Sequence, residues 1–128
     1  MRKTLLSIVT VLFVILLTAC GGNKVDDATA EKYIAKAEEV ILYLNEGDYE
    51  AVYATFNDEM KEGLPVAAMA ELTPVIEESG EFKEIDKASV EEKDGHYITV
   101  LQGKYTNKNR IYTITFNQND EVSGLFIK

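Results

Sequence analysis

Ser89-Val90-Glu91-Glu92-Lys93-Asp94-Gly95-His96-Tyr97-Ile98-Thr99-Val100 is the stretch on which the fold turns. The Asp94-Gly95 step supplies the positive backbone angles of a two-residue hairpin turn, and β-branched and aromatic residues flank it on the far side. The spacing predicts strands over Phe82–Glu92 and His96–Thr106 around a turn at Lys93-Asp94-Gly95. Outward toward the C-terminus, Asn107-Lys108-Asn109 is a second turn and Arg110–Asn117 a third strand. In that strand Tyr112, Ile114 and Phe116 alternate with Ile111, Thr113 and Thr115 on opposite faces. A last turn at Gln118-Asn119-Asp120 leads into Val122–Ile127, which completes a four-stranded antiparallel meander.

Upstream of the hairpin the period changes to that of helices. After Asp26-Asp27, apolar residues at Tyr33, Ile34, Ala37, Val40, Ile41 and Leu44 form one stripe, and Glu31, Lys32, Lys36, Glu38, Glu39 and Glu46 lie mainly off it. Gly47 fits a left-handed helix stop, and Asp48 restarts the chain as the cap of a short helix carrying Tyr49, Val52, Tyr53 and Phe56. Asn57-Asp58 caps another turn up to Gly63, and Pro65 opens a further helix through Ser79, stopped by Gly80. Pro74 removes a hydrogen bond from that helix and crowds the preceding turn, so a kink or split is expected near Thr73. Helices followed by strands define an α+β fold, with N-terminal helices packed on one face of a curved four-stranded antiparallel sheet.

The start of the chain is an address. Met1-Arg2-Lys3 precedes an apolar run from Leu5 to Leu17, in the order of the charged and hydrophobic regions of a secretory signal. The run ends at Leu17-Thr18-Ala19-Cys20, which resembles the bacterial lipobox. That resemblance implies cleavage before Cys20 and a diacylglyceryl group on its sulfur. The apolar run is shorter than the 20 or so residues a spanning helix needs, which disfavours an uncleaved anchor. The expected organisation is a signal peptide over 1–19, a lipidated tether over 20–28 and one domain over 29–128. The expected location is the extracytoplasmic face of the cell membrane, held by the Cys20 anchor.

Composition narrows the chemistry. The 128 residues carry 13 basic and 22 acidic side chains, a net charge of −9 that argues against nucleic acid as a partner. Loss of Arg2 and Lys3 with the signal leaves 109 residues with 11 basic and 22 acidic side chains, a net charge of −11. Anionic head groups repel such a domain, so the lipid rather than a basic patch is its membrane contact. One Cys and one His leave no disulfide pair and no zinc cage, and no metal or cofactor is expected.

Gly47 to Lys61, with Gly80-Glu81-Phe82-Lys83-Glu84-Ile85 and Gly124-Leu125-Phe126, resembles an uncharacterised bacterial domain of the nuclear-transport-factor-2-like, cystatin-like superfamily. The resemblance implies a cone enclosed by the first helix, the tyrosine-rich second helix and the sheet. In related families the cone is packed shut, holds a ligand or is adapted for catalysis. It also implies secreted or lipid-anchored proteins, some carrying the domain ahead of an α/β-hydrolase domain. No catalytic residue follows from it, and any hydrolase would act here as a separate envelope partner.

The candidate sites are few. Tyr49, Tyr53 and Phe56, facing Tyr112, Ile114 and Phe116, are the candidate lining of a pocket for a small apolar or sugar-like molecule. Core packing accounts for the same stripe. An enzyme using the cone would need a perturbed acid or base, and Asp48 and His96 are its candidates. A helix cap and a hairpin turn explain both more simply. Ser7, Ser79, Ser89 and Ser123 stand in no nucleophile elbow, and Asn117, Asn119 and Glu121 read as a turn rather than a calcium loop. The second sheet face, with Ile111, Thr113 and Thr115, is apolar enough to pair two copies as a homodimer. The expected function is a binding or protein-interaction module without catalysis of its own, with an enzyme using the cone as the alternative.

Overall fold

The computed structural model describes residues 23–128. Strand β1 (Asn23–Lys24) is followed by helices α1 (Asp27–Glu46), α2 (Tyr49–Ala54), α3 (Asp58–Gly63), α4 (Val66–Met69) and α5 (Leu72–Ser79). Strands β2 (Phe82–Lys93), β3 (His96–Tyr105), β4 (Asn109–Phe116) and β5 (Val122–Ile127) complete the chain. The class is α+β, as the sequence predicts. The Cys20 site and the leader over 1–19 lie outside the described residues.

Helix α1 buries Tyr33, Ala37, Val40, Ile41 and Leu44, the stripe set by the three/four spacing. Gly47 ends it with φ of 73°, a conformation that costs glycine little. Asp48 Oδ1 accepts from the Ala51 amide at 3.2 Å and Asn57 Oδ1 from the Met60 amide at 2.9 Å, so both predicted caps form. The helix expected from Pro65 to Ser79 is divided, but at Ala70-Glu71 rather than Thr73. Pro74 is the third residue of α5, inside the first turn, where a missing amide hydrogen leaves no helical bond unmade. Its ring would crowd the Ala70 carbonyl in a continuous helix, which moves the break upstream.

The sheet has five strands in the order β1-β2-β3-β4-β5, all antiparallel, where the sequence suggests four. The extra strand falls in the expected tether. Asn23 and Lys24 are too short a run to carry an alternation signal, and they become a strand only because Glu92 and Glu91 of β2 are there to pair with them. The β2–β3 turn is the predicted one, with φ of 52° at Asp94 and 80° at Gly95. Two shifts of register make Lys83 and Asp86 extra residues in β2, bulges that bend the strand.

The core lies between α1 and the inner sheet face. Leu101, Tyr112, Ile114, Phe116 and Val122 pack there with Val52, Phe56 and Met69. The join between α2 and α3 is stitched to β5 by bonds from the Val122 amide to the Thr55 carbonyl, 2.8 Å, and from the Asn57 amide to the Val122 carbonyl, 2.9 Å. Polar contacts tie the two ends of the helical layer to the sheet. At one end the Tyr33 hydroxyl donates to Asp120 Oδ1 at 2.6 Å, and its ring stacks on Tyr97 at 4.3 Å. At the other, Arg110 Nε donates to Ser79 Oγ at 2.6 Å and a second guanidinium nitrogen to the Val75 carbonyl at 3.2 Å. A cation bonded to Ser79, the last residue of α5, also suits the helix dipole.

Candidate functional site

The structure brings most of the predicted pocket residues together, but as core. Phe56, Tyr112, Ile114 and Phe116 are all buried, while Tyr49 and Tyr53 are half-buried. The Tyr49 hydroxyl is bonded to Thr73 Oγ1 at 2.5 Å, and Tyr53 lies under the Lys61 ammonium, 5.5 Å from the ring centre. Of the six, Phe116 touches a small cavity of about 110 Å³, shared with Lys36, Glu39, Val40, Thr55 and Asp120. Asp48 and His96 are both exposed and at different ends of the fold. Asp48 caps α2, and His96 Nδ1 lies 3.2 Å from the Asp94 carbonyl within its own turn. Asn117 Oδ1 accepts from the amides of Asn119 and Glu121, which closes the predicted turn.

A larger space lies elsewhere. Between α1 and β2 opens a cleft of about 560 Å³ lined by Glu38, Glu39, Ile41, Leu42, Phe82, Ile85, Asp86, Lys87 and Ala88. Its apolar floor is Ile41, Leu42, Phe82, Ile85 and Ala88, with Leu42 51% and Phe82 37% exposed. Three carboxylates and one ammonium rim it. Glu39 accepts from the Tyr43 hydroxyl at 2.5 Å and Asp86 lies 3.7 Å from Lys104 Nζ, whereas Glu38 has no hydrogen bond or ion pair among the described residues. That contact with Glu39 raises the Tyr43 hydroxyl pKa.

Behind the cleft stands a polar network. The Phe82 ring meets Tyr105 edge-on at 5.4 Å, and the Tyr105 hydroxyl donates to Asn45 Oδ1 at 2.5 Å and is also bonded to the Tyr112 hydroxyl. Burial raises the pKa of both phenols, so both stay protonated at neutral pH. Asn45 Nδ2 is buried without a partner among the described residues. The network meets the cleft through the Phe82 ring. It offers no group that ionises near neutrality.

The sequence carried a signal for the cleft that period-two reasoning passes over. Phe82, Ile85 and Ala88 recur every third residue, which no regular strand allows on one face. The bulged residues Lys83 and Asp86 absorb the extra step, so all three line the same cleft.

Among the described residues no helix is long and apolar enough to cross a membrane, and no group of three or more His, Cys, Asp or Glu residues could hold a metal ion. An open five-stranded antiparallel sheet covered on one face by helices, with an apolar cleft between α1 and β2, defines the class: an α+β domain. The chain belongs to the family described as protein of unknown function (DUF3887), whose model matches residues 37–125. It is similar in fold to a protein from Ruminococcus gnavus ATCC 29149 solved by NMR, with a TM-score of 0.65 and 23% identity over 80% of this chain and 90% of that one. No curated protein matches.

Proposed function

We propose that this protein is a lipid-anchored module of the cell envelope that binds its partner in the α1–β2 cleft and does no chemistry there. The cleft carries the reading: about 560 Å³ of apolar floor under a charged rim, with Asp48 and His96 outside its lining. Its apolar floor would supply affinity and its rim selectivity. The lipobox-like Leu17-Thr18-Ala19-Cys20 supports the anchor, and the net charge of −11 after removal of the leader makes a covalent lipid the reasonable means of holding the domain at an anionic surface. Placement in the nuclear-transport-factor-2-like superfamily belongs to the same proposal, as does a separate envelope hydrolase as partner. With Phe56, Tyr112, Ile114 and Phe116 packed into the core, the cleft replaces the cone as the place for a ligand. A second reading rests on the outer sheet face, where Phe126 is 71%, Ile111 41% and Val100 38% exposed: two copies pairing through their sheets.

Metabolic labelling with a palmitate analogue tests the anchor. The native chain should incorporate the label and Cys20→Ala should not. Label retained by the variant, or absent from the native chain, would remove the address and the membrane role with it.

A further inference from the structure

The free edge of the sheet lies between two hollows. On the side of β2 away from β3, β1 covers only Glu91 and Glu92 and Val90 beside them is buried, so among the described residues the exposed stretch without a strand partner there is Lys87–Ser89. The inner cleft flanks this segment on one side. On the other is a groove of about 310 Å³ lined by Lys87, Ala88, Ser89, Val100, Gln102 and Ile111. Lys87 and Ala88 line both spaces. An extended peptide added to this edge projects alternate side chains to opposite faces, and here each face has a hollow to receive them.

Deepening the reading just given, and resting on it for the envelope setting, we propose that the Lys87–Ser89 edge takes up an extended basic-apolar segment of another envelope protein as an added strand. The bulges at Lys83 and Asp86 bend the strand away upstream, and β1 occupies its other end, so the added strand is confined to a short straight stretch. Charge decides the composition. Toward the cleft lie Glu38, Glu39 and Asp86 against Lys87 alone, over an apolar floor that suits the stem of a lysine or arginine whose head reaches the rim. Toward the groove, Val100 and Ile111 suit aliphatic side chains. The partner segment therefore alternates basic with aliphatic residues.

The test uses the full chain purified from membranes in phosphatidylcholine nanodiscs, with empty nanodiscs as blank, and labelled peptides read by fluorescence anisotropy. The probe is Lys-Val-Lys-Val-Lys-Val-Lys. Its controls are the block peptide Lys-Lys-Lys-Val-Val-Val-Lys, a form with proline at the central valine, and the Glu/Val analogue. The alternating probe should bind best, the proline form several-fold more weakly for loss of a ladder bond, and the acidic analogue not measurably. Glu38→Lys, an exposed substitution that leaves the fold intact by circular dichroism, should weaken the probe several-fold. Equal binding of alternating and block peptides would reduce the effect to charge and overturn the proposal. So would a chain dimer that the probe does not displace, since the groove lined by Val100 and Ile111 would then belong to a second copy. Either result leaves the labelling of Cys20, and the envelope reading, standing or falling separately.

Discussion

Asp120 shows how one side chain holds a helix to a turn. It accepts from the Tyr33 hydroxyl at 2.6 Å and pairs with Lys32 Nζ at 2.9 Å, and these two contacts, the tyrosine bond first, hold its carboxyl below the ordinary value of 3.8. The same carboxylate, after burial, helps raise the pKa of Tyr33. A carboxyl with a depressed folded pKa stabilises the fold above its unfolded value and loses that contribution as pH falls through the folded value. Asp120→Asn keeps the backbone at φ of 62°, which asparagine tolerates, and removes the charge. Urea unfolding should show a loss of about 1 kcal/mol at pH 7, discounted for partial exposure, and a gap between variant and native that closes below pH 3.8. A gap that persists into acid would assign the effect to shape rather than charge. None of this was legible in the sequence, because Tyr33 and Asp120 lie 87 positions apart. The caps at Asp48 and Asn57 were legible, since each needs only a backbone amide three residues on.

At the scale of elements, what could be read ahead is what local chemistry decides. The Asp94-Gly95 hairpin, the α1 stripe and the alternation of β4 depend on neighbours in the chain and appear as expected. The misplaced break before Pro74, the strand at Asn23–Lys24 and the bulges of β2 depend on partners distant in sequence. The candidate site shared that fate: its spacing by threes was visible, but only a bulged strand gives it meaning. The joint from α5 into β2 is the tightest of the turns. Gly80 has φ of 91°, and a Cβ built there would lie 2.0 Å from Thr106 Oγ1, the atom that accepts the Glu81 amide. Gly80→Ala should therefore cost about 2–3 kcal/mol from backbone strain and collision together. Thermal unfolding measures the loss, and hydrogen exchange should show the Asn107 amide, bonded to the Ser79 carbonyl, losing protection before the β3–β4 ladder. A change within 0.5 kcal/mol would mean that the joint yields without strain.

Across the whole molecule the two sheet faces differ sharply, the inner one covered by helices except at the α1–β2 cleft and the outer one bare. Phe126 stands on that bare face, opposite Thr113 in the neighbouring strand. If two copies pair there, sedimentation equilibrium of the native chain should give a dimer and Phe126→Lys a monomer with an unchanged circular dichroism spectrum, since an exposed ring contributes little to the single fold. A monomeric native chain ends that reading and leaves the outer face to the added strand alone. The short strand β1 has a further bearing. Asn23 pairs with Glu92 beside the hairpin tip, three residues after Cys20, a distance of at most about 10 Å when fully extended. On the proposed anchoring, so short a tether keeps the hairpin that carries Asp94 and His96 near the bilayer, and the Asn107 turn at the far end of β3 lies farther out. A partner would then have to meet the β2 edge close to the membrane surface, which favours segments that are themselves held at that surface.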